Sequence, residues 1–178
     1  MPPKQRITRE MILERSFAMF CKEGMEVVNA RSVAKALNCS TQPIFSYFSG
    51  MEDLKGALNQ KANELYESAI GAGGANLVDR CCAYVRFASE QPRLFSHLFL
   101  RANGAQPLYK AAGDELIRAE GGMYGLTDEQ AKEIALNLSI YAHGIGAILA
   151  AGSADYDADA AHAMIEKAHD AMLAAAGK

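Results

Sequence analysis

Apolar residues recur along this chain at the helical spacings of three and four. Ile134, Leu138, Tyr141, Ile145 and Ile148 step by four, three, four and three, which draws one stripe along a helix. Near the start, Ile12, Leu13, Phe17 and Phe20 form another helical face. No segment carries the alternating, β-branched pattern of a strand, so the expected fold class is all-α. The chain has 178 residues, half of them hydrophobic. That is the size of one domain or two small ones, with enough apolar surface for a real core.

Capping and breaking residues divide this pattern into nine helices. The first runs from about 9 to 23 and is closed by Gly24. Asn29 caps a short second helix carrying Val33, Ala34 and Leu37. Asn38 and Cys39 form a tight turn, and a third short helix covers about 41–48. Ser49-x-x-Glu52 reads as a capping box opening a longer helix over about 50–70. The glycine run at 71–74 ends that helix and offers a break between modules. Helices at about 77–90 and from Pro92 through "PRLFSHLFL" follow. A loop at "NGAQP" (103–107) leads to a helix at about 108–119, broken by "GGMYG" (121–125). Thr127-x-x-Gln130 is a second capping box and opens a helix to about 151. After the loop "GSADYDAD", a last helix spans about 158–175. The domain reading is 1–50 and 51–178, joined by the helix at about 50–70.

Several function classes are disfavoured. Cys21, Cys39, Cys81 and Cys82 have neither C-x2-C nor C-x4-C spacing, so four reduced thiols are expected rather than a zinc or redox site. Asp155-x-Asp157-x-Asp159 with Glu166 echoes a calcium loop. Its sixth position is Ala160 where a glycine is needed, and the same acids suit the start of a helix. No nucleophile motif, paired-acid site or phosphate loop is present. No catalysis, metal or cofactor is therefore expected. No uninterrupted run of 18 apolar residues occurs, and "MPPKQRITRE" lacks the apolar stretch of a secretory signal. The expectation is a cytoplasmic protein without a membrane partner.

Charge is uneven. Net charge is −3 overall, but residues 1–60 hold eight Lys/Arg against six Asp/Glu, and the remainder ten against fifteen. A mildly basic N-terminal third on an acidic body points one end toward a polyanion. Helix, short helix, tight turn and short helix within some 40 residues is the helix-turn-helix arrangement. In it the third helix presents its N-terminal residues to base edges in a major groove. Pro43 falls in the first turn of that helix, where a missing N–H costs little. Thr41, Gln42 and Ser46 are short hydrogen-bonding side chains fit to read base edges, and Gln suits adenine. Arg31 and Lys35 can neutralise phosphates. Ile44 and Phe48 are expected inside, Phe45 and Tyr47 near the DNA backbone.

Residues 12–54, "ILERSFAMFCKEGMEVVNARSVAKALNCSTQPIFSYFSGMEDL", resemble the DNA-binding domain of TetR (tetracycline-repressor-like) transcriptional regulators. The matching set is Ala18-x-Phe20 followed by Gly24, Val33-Ala34, Ser40 at the turn, and Ile44-Phe45-x-x-Phe48 followed by Glu52-x-Leu54. By that resemblance Arg31, Thr41, Gln42, Pro43, Ser46 and Tyr47 fall where DNA contacts are usual. Two positions depart from the family. Phe45 stands where Tyr is usual and Met51 where Lys is usual, both residues that usually hold a phosphate. Each loss weakens sequence-independent affinity by about 1 kcal/mol.

The resemblance further implies a C-terminal domain that binds an effector and forms a homodimer, and hence a repressor of a palindromic operator released by a small molecule. The two last long helices suit the dimer interface through Ile134, Leu138, Tyr141, Ile145, Ile148, Met164, Ala168 and Met172. Leu136, Ile140 and Ala147 add a second apolar face. "YVRFASEQPRLFSHLFL" with "YAHGIGAIL" resembles the C-terminal type marked by a His-Gly pair (WHG-like), here His143-Gly144, although this chain has no Trp. Candidate pocket residues, between the modules, are Tyr84, Phe87, Phe95, His97, Phe99, Tyr109, Tyr124, Tyr141 and His143. His143 is more simply a satisfied buried histidine. Read without the resemblance, the residues leave open a small cytoplasmic enzyme or ligand-binding helical bundle with no DNA role.

Overall fold

A computed structural model describes residues 6–74, 76–101 and 113–178. The helices are α1 Arg9–Glu23, α2 Ala30–Ala36, α3 Gln42–Tyr47, α4 Met51–Gly71, α5 Leu77–Glu90, α6 Pro92–Phe99, α7 Gly113–Tyr124, α8 Asp128–Ala150 and α9 Ala158–Ala175. A single 3-10 turn, Met25–Val27, follows α1. No strand occurs among the described residues, as the helical spacing requires. The predicted "NGAQP" loop and the first part of the helix expected from 108 lie outside the described residues.

The chain divides into two compact units, Met1–Leu65 and Tyr66–Lys178. The divide falls inside α4, neither at 50/51 nor at the 71–74 glycines. Leu54, Leu58 and Ala62 are fully buried, and Lys61 lies over the Phe17 ring of α1 at 5.2 Å. The first half of α4 is therefore part of the core of the N-terminal unit.

In that unit, Ile12, Phe20, Val33, Ile44 and Phe48 close the core with Leu54 and Leu58. Each side chain contributes about 1.5–3 kcal/mol by leaving water. Local caps fix where the short helices start and stop. Thr8 Oγ1 accepts the Met11 N–H at 3.2 Å. Asn29 and Ser32 exchange side-chain and backbone hydrogen bonds as a capping box around the start of α2. Asn38 is left-handed, with φ 52°, and Cys39 N–H donates to the Ala34 carbonyl at 3.0 Å. That bond turns the chain sharply out of α2.

The expected Ser49–Glu52 capping box is corrected. Asp53 supplies the carboxylate, accepting from the Ser49 N–H at 2.9 Å and its hydroxyl at 3.2 Å. Glu52 instead pairs with Lys55 at 3.2 Å. Helix α4 begins one residue later than a Ser49 cap requires. Leu54 N–H bonds to the Gly50 carbonyl, so the third helical position is Asp53.

In the C-terminal unit α8 is the central helix, packed against α5, α6, α7 and α9. Gly146 permits its closest approach: a Cβ there would stand 3.0 Å from Cζ of Phe95 and 3.3 Å from Cβ of Ala88. The capping box of Thr127 and Gln130 opens α8 as expected, and Asp157 caps α9 through the Ala160 N–H at 2.9 Å. The expected break at "GGMYG" comes late. Helix α7 continues through Gly121 and Gly122 to Tyr124. It ends only where Gly125 takes φ 60° and Leu126 N–H bonds to the Gly121 carbonyl at 2.9 Å, an arrangement that wants glycine at its left-handed position.

Length and composition would let α8 cross a membrane, with a mean hydropathy of 1.3. Its Ile134, Leu138, Ala142 and Ile145 are buried among the chain's own helices, which accounts for one apolar face.

Candidate nucleic-acid interface

The tip of α3 is presented by the core beneath it. Ile44 and Phe48 are buried and anchor the helix, while Phe45 is 51% and Tyr47 40% exposed. Aromatics divide between inside and outside as the spacing predicts. Pro43 is in the first turn, behind Thr41 as N-cap. Thr41 makes no side-chain capping bond, so its hydroxyl is not committed to the helix end. Gln42 is exposed.

The hydroxyl of Ser46 donates to the Gln42 carbonyl at 3.0 Å, so a base contact from Ser46 requires that bond to break or the oxygen to act as acceptor. Tyr47 is also engaged: its hydroxyl donates to the Ile7 carbonyl at 3.2 Å. Arg9 lies over the Phe48 ring at 4.9 Å. The segment before α1 is thereby held beside the third helix.

A cleft of about 680 Å³ results. Gln42, Pro43, Ser46 and Tyr47 line it together with Arg6, Ile7, Asn38 and Ser40. Of the predicted DNA-contact residues, these four come together there. Arg31 is exposed on α2, and Thr41, Phe45 and Met51 lie outside the cleft. Sequence reasoning missed Arg6 and Ile7. The basic residues of "RITR" gave a signal of charge only, because a bond spanning 40 positions has no local signature.

In the C-terminal unit, five of the pocket candidates form one aromatic cluster. The Tyr84 ring meets Phe95 at 5.1 Å and Phe99 at 5.2 Å. The Tyr84 hydroxyl and Nδ1 of His143 are 2.8 Å apart, and Phe87 joins through Tyr66 at 5.4 Å. Burial pushes the Tyr84 phenol well above its ordinary range and the His143 imidazole below it. The bond therefore joins two uncharged groups, and His143 is a satisfied histidine. His97 is half-buried on α6. Tyr124 is apart from the cluster, lining a 370 Å³ cleft with Glu120 and His169. Tyr141 is exposed, and Tyr109 lies outside the described residues. Burial also pushes the Cys81 thiol up to about 12 and Cys82 to about 11, which keeps both protonated and unreactive.

The predicted dimer set is split by α8. Ile134, Leu138 and Ile145 are buried within the chain, and so they belong to its core. Leu136, Ile140, Tyr141 and Ile148 form the exposed apolar face. On α9, Met164, Ala168 and Met172 are half-buried.

No family model matches the sequence, and no curated protein matches it. Solved structures do. A TetR-like transcriptional regulator from Rhodococcus sp. RHA1 superposes with a TM-score of 0.66 at 16% identity, over 95% of this chain and 99% of that one. A protein assigned as a transcriptional regulator from Pseudomonas aeruginosa PAO1 gives 0.63 at 18% identity, over 95% and 93%. A protein assigned as a TetR-family transcriptional regulator from Rhodococcus sp. gives 0.58 at 14% identity, over 93% and 98%. The chain therefore has the all-helical fold of TetR-like transcriptional regulators.

Proposed function

We propose that this chain is a ligand-responsive DNA-binding transcriptional regulator of the cytoplasm, a repressor that binds a palindromic operator as a homodimer and carries out no catalysis. The observation that carries the reading is the tip of α3. Gln42 is exposed and Thr41 is free of capping bonds, on a helix anchored by the buried Ile44 and Phe48. Base edges in a major groove are what such a tip fits. Phosphates fall to Arg31, to Lys35 and to Arg6 in the lining of the cleft.

The exposed face Leu136, Ile140, Tyr141 and Ile148 supports the dimer. A second copy of α8 would cover it in an isologous contact, with Met164, Ala168 and Met172 of α9 at its margin. An effector bound in the C-terminal unit would favour a dimer whose two α3 helices no longer match half-sites one helical turn apart. Gel shift with DNA upstream of the chain's own gene and with neighbouring intergenic DNA tests this. A shift at one of these sites is expected; no shift on any of them sinks the regulator reading.

A further inference from the structure

Two buried donors in the C-terminal unit serve no contact described so far. Tyr66, on α4, is 8% exposed, and its hydroxyl has no hydrogen-bond partner among the described residues. Nε of Arg80, on α5, is also buried and unpartnered. Native interiors rarely leave such groups unpaired, and each one has a cause.

The two donors belong to one place. Arg80, Tyr84 and Phe87 stand at i, i+4 and i+7 on α5, a single helix face. The Tyr66 ring meets Tyr84 at 6.2 Å and Phe87 at 5.4 Å. The Arg80 charge acts on the Tyr66 hydroxyl more strongly than any other charge does. No carboxylate among the described residues pairs with Arg80. Its neighbour Asp79 is turned to Asn76, accepting from Nδ2 at 2.8 Å. Glu67 also acts on the Tyr66 hydroxyl, more weakly, and is exposed. What surrounds Tyr66 is aromatic: Phe99 lies against it at 4.9 Å.

One neutral O–H, one cationic N–H and a wall of rings call for an acceptor that is singly charged and has an apolar body. A phosphate dianion would leave charge unpaired in that setting. A neutral amide would leave Arg80 uncompensated. We propose that the C-terminal unit binds an apolar monocarboxylate. Its two oxygens accept from the Tyr66 hydroxyl and Arg80 Nε, and its hydrocarbon or aryl body packs between Phe87 and Phe99. Phe99, the half-buried last residue of α6, is the ring that turns aside. The inference rests on the effector reading above and deepens it by naming the effector's chemical class.

Calorimetry on the full chain with 3-phenylpropionate and decanoate, each against its primary amide, tests it. Both acids bind with one site per chain, and the amides bind at least about tenfold more weakly. Tyr66→Phe leaves the unliganded chain as stable as before or more so, because an orphan hydroxyl is gone, and weakens acid binding about tenfold. Arg80→Gln removes the preference for acid over amide. The proposal is overturned if neither acid binds, if acid and amide bind alike, or if Tyr66→Phe costs stability without changing affinity. The last result would mean that the hydroxyl serves the fold through a bound water. A gel shift run in parallel separates the two claims. A chain that shifts DNA but binds no acid refutes only the effector class. One that binds acid as predicted but shifts no DNA refutes the regulator and keeps the site.

Discussion

The hydroxyl of Tyr47 donates to the Ile7 carbonyl across 3.2 Å and 40 residues of sequence. It joins the segment before α1 to the third helix of the N-terminal unit. That bond holds the segment that brings Arg6 to the lining of the cleft shared with Gln42. Tyr47→Phe keeps the ring and removes the tether. Its stability should change no more than a surface substitution changes it, about 0.5 kcal/mol or less. DNA affinity should fall severalfold at low salt, as Arg6 loses its fixed position. Fluorescence anisotropy across a salt series reads both the affinity and the salt slope. An unchanged affinity would mean that the tether is irrelevant to DNA.

Phe45 is more than half exposed, so a hydroxyl added to it meets solvent or a phosphate and disturbs no packing. Phe45→Tyr should strengthen binding to both operator and random DNA by about 0.5–1.5 kcal/mol, since a phosphate contact carries no sequence information. Equal affinity of variant and parent would place this ring away from the DNA backbone.

Much of this was legible locally. Asn29, Pro43 and the pair Thr127 and Gln130 announce helix starts because a cap is made within three or four residues. The division of Ile44 and Phe48 inward and Phe45 and Tyr47 outward follows from helical spacing alone. What escaped was set by choices one residue wide or by distant partners. Asp53 takes the role read for Glu52 because α4 starts one residue later. Spacing reveals two apolar stripes on α8 but not which positions pack inside the chain, so the dimer set read from it mixes the buried Ile134, Leu138 and Ile145 with the exposed Tyr141 and Ile148. The Glu120–His169 contact, at 2.6 Å and 49 residues apart, leaves no trace in either neighbourhood.

The exposed face of α8 gives the dimer a sharp test. Ile140 is 61% exposed in the single chain, so Ile140→Glu should cost the fold about 0.5 kcal/mol or less. In an apolar interface the same charge has no partner. Sedimentation should find the parent dimeric and the variant monomeric at micromolar concentration. A variant that remains dimeric would put the interface on another surface.

His143 makes stability pH-dependent in a defined direction. Burial lowers its pKa from the ordinary 6.5, so the unfolded chain binds the proton more readily than the folded one. Its contribution to stability is therefore complete above about pH 6.5 and is lost as pH falls below that value. His143→Gln removes this titration. Between about pH 7 and pH 5, its melting temperature should fall less than that of the parent, measured by circular dichroism in matched buffers. Parallel falls would mean that His143 takes no part.

Gln42→Ala addresses base reading itself. Binding of the purified protein to operator and to scrambled DNA of equal length, at one salt concentration, is the measurement. The substitution should cost about 1–3 kcal/mol on operator and leave scrambled DNA, melting temperature and dimer unchanged. An equal loss on both DNAs would contradict the assignment of the α3 tip as the element that reads sequence.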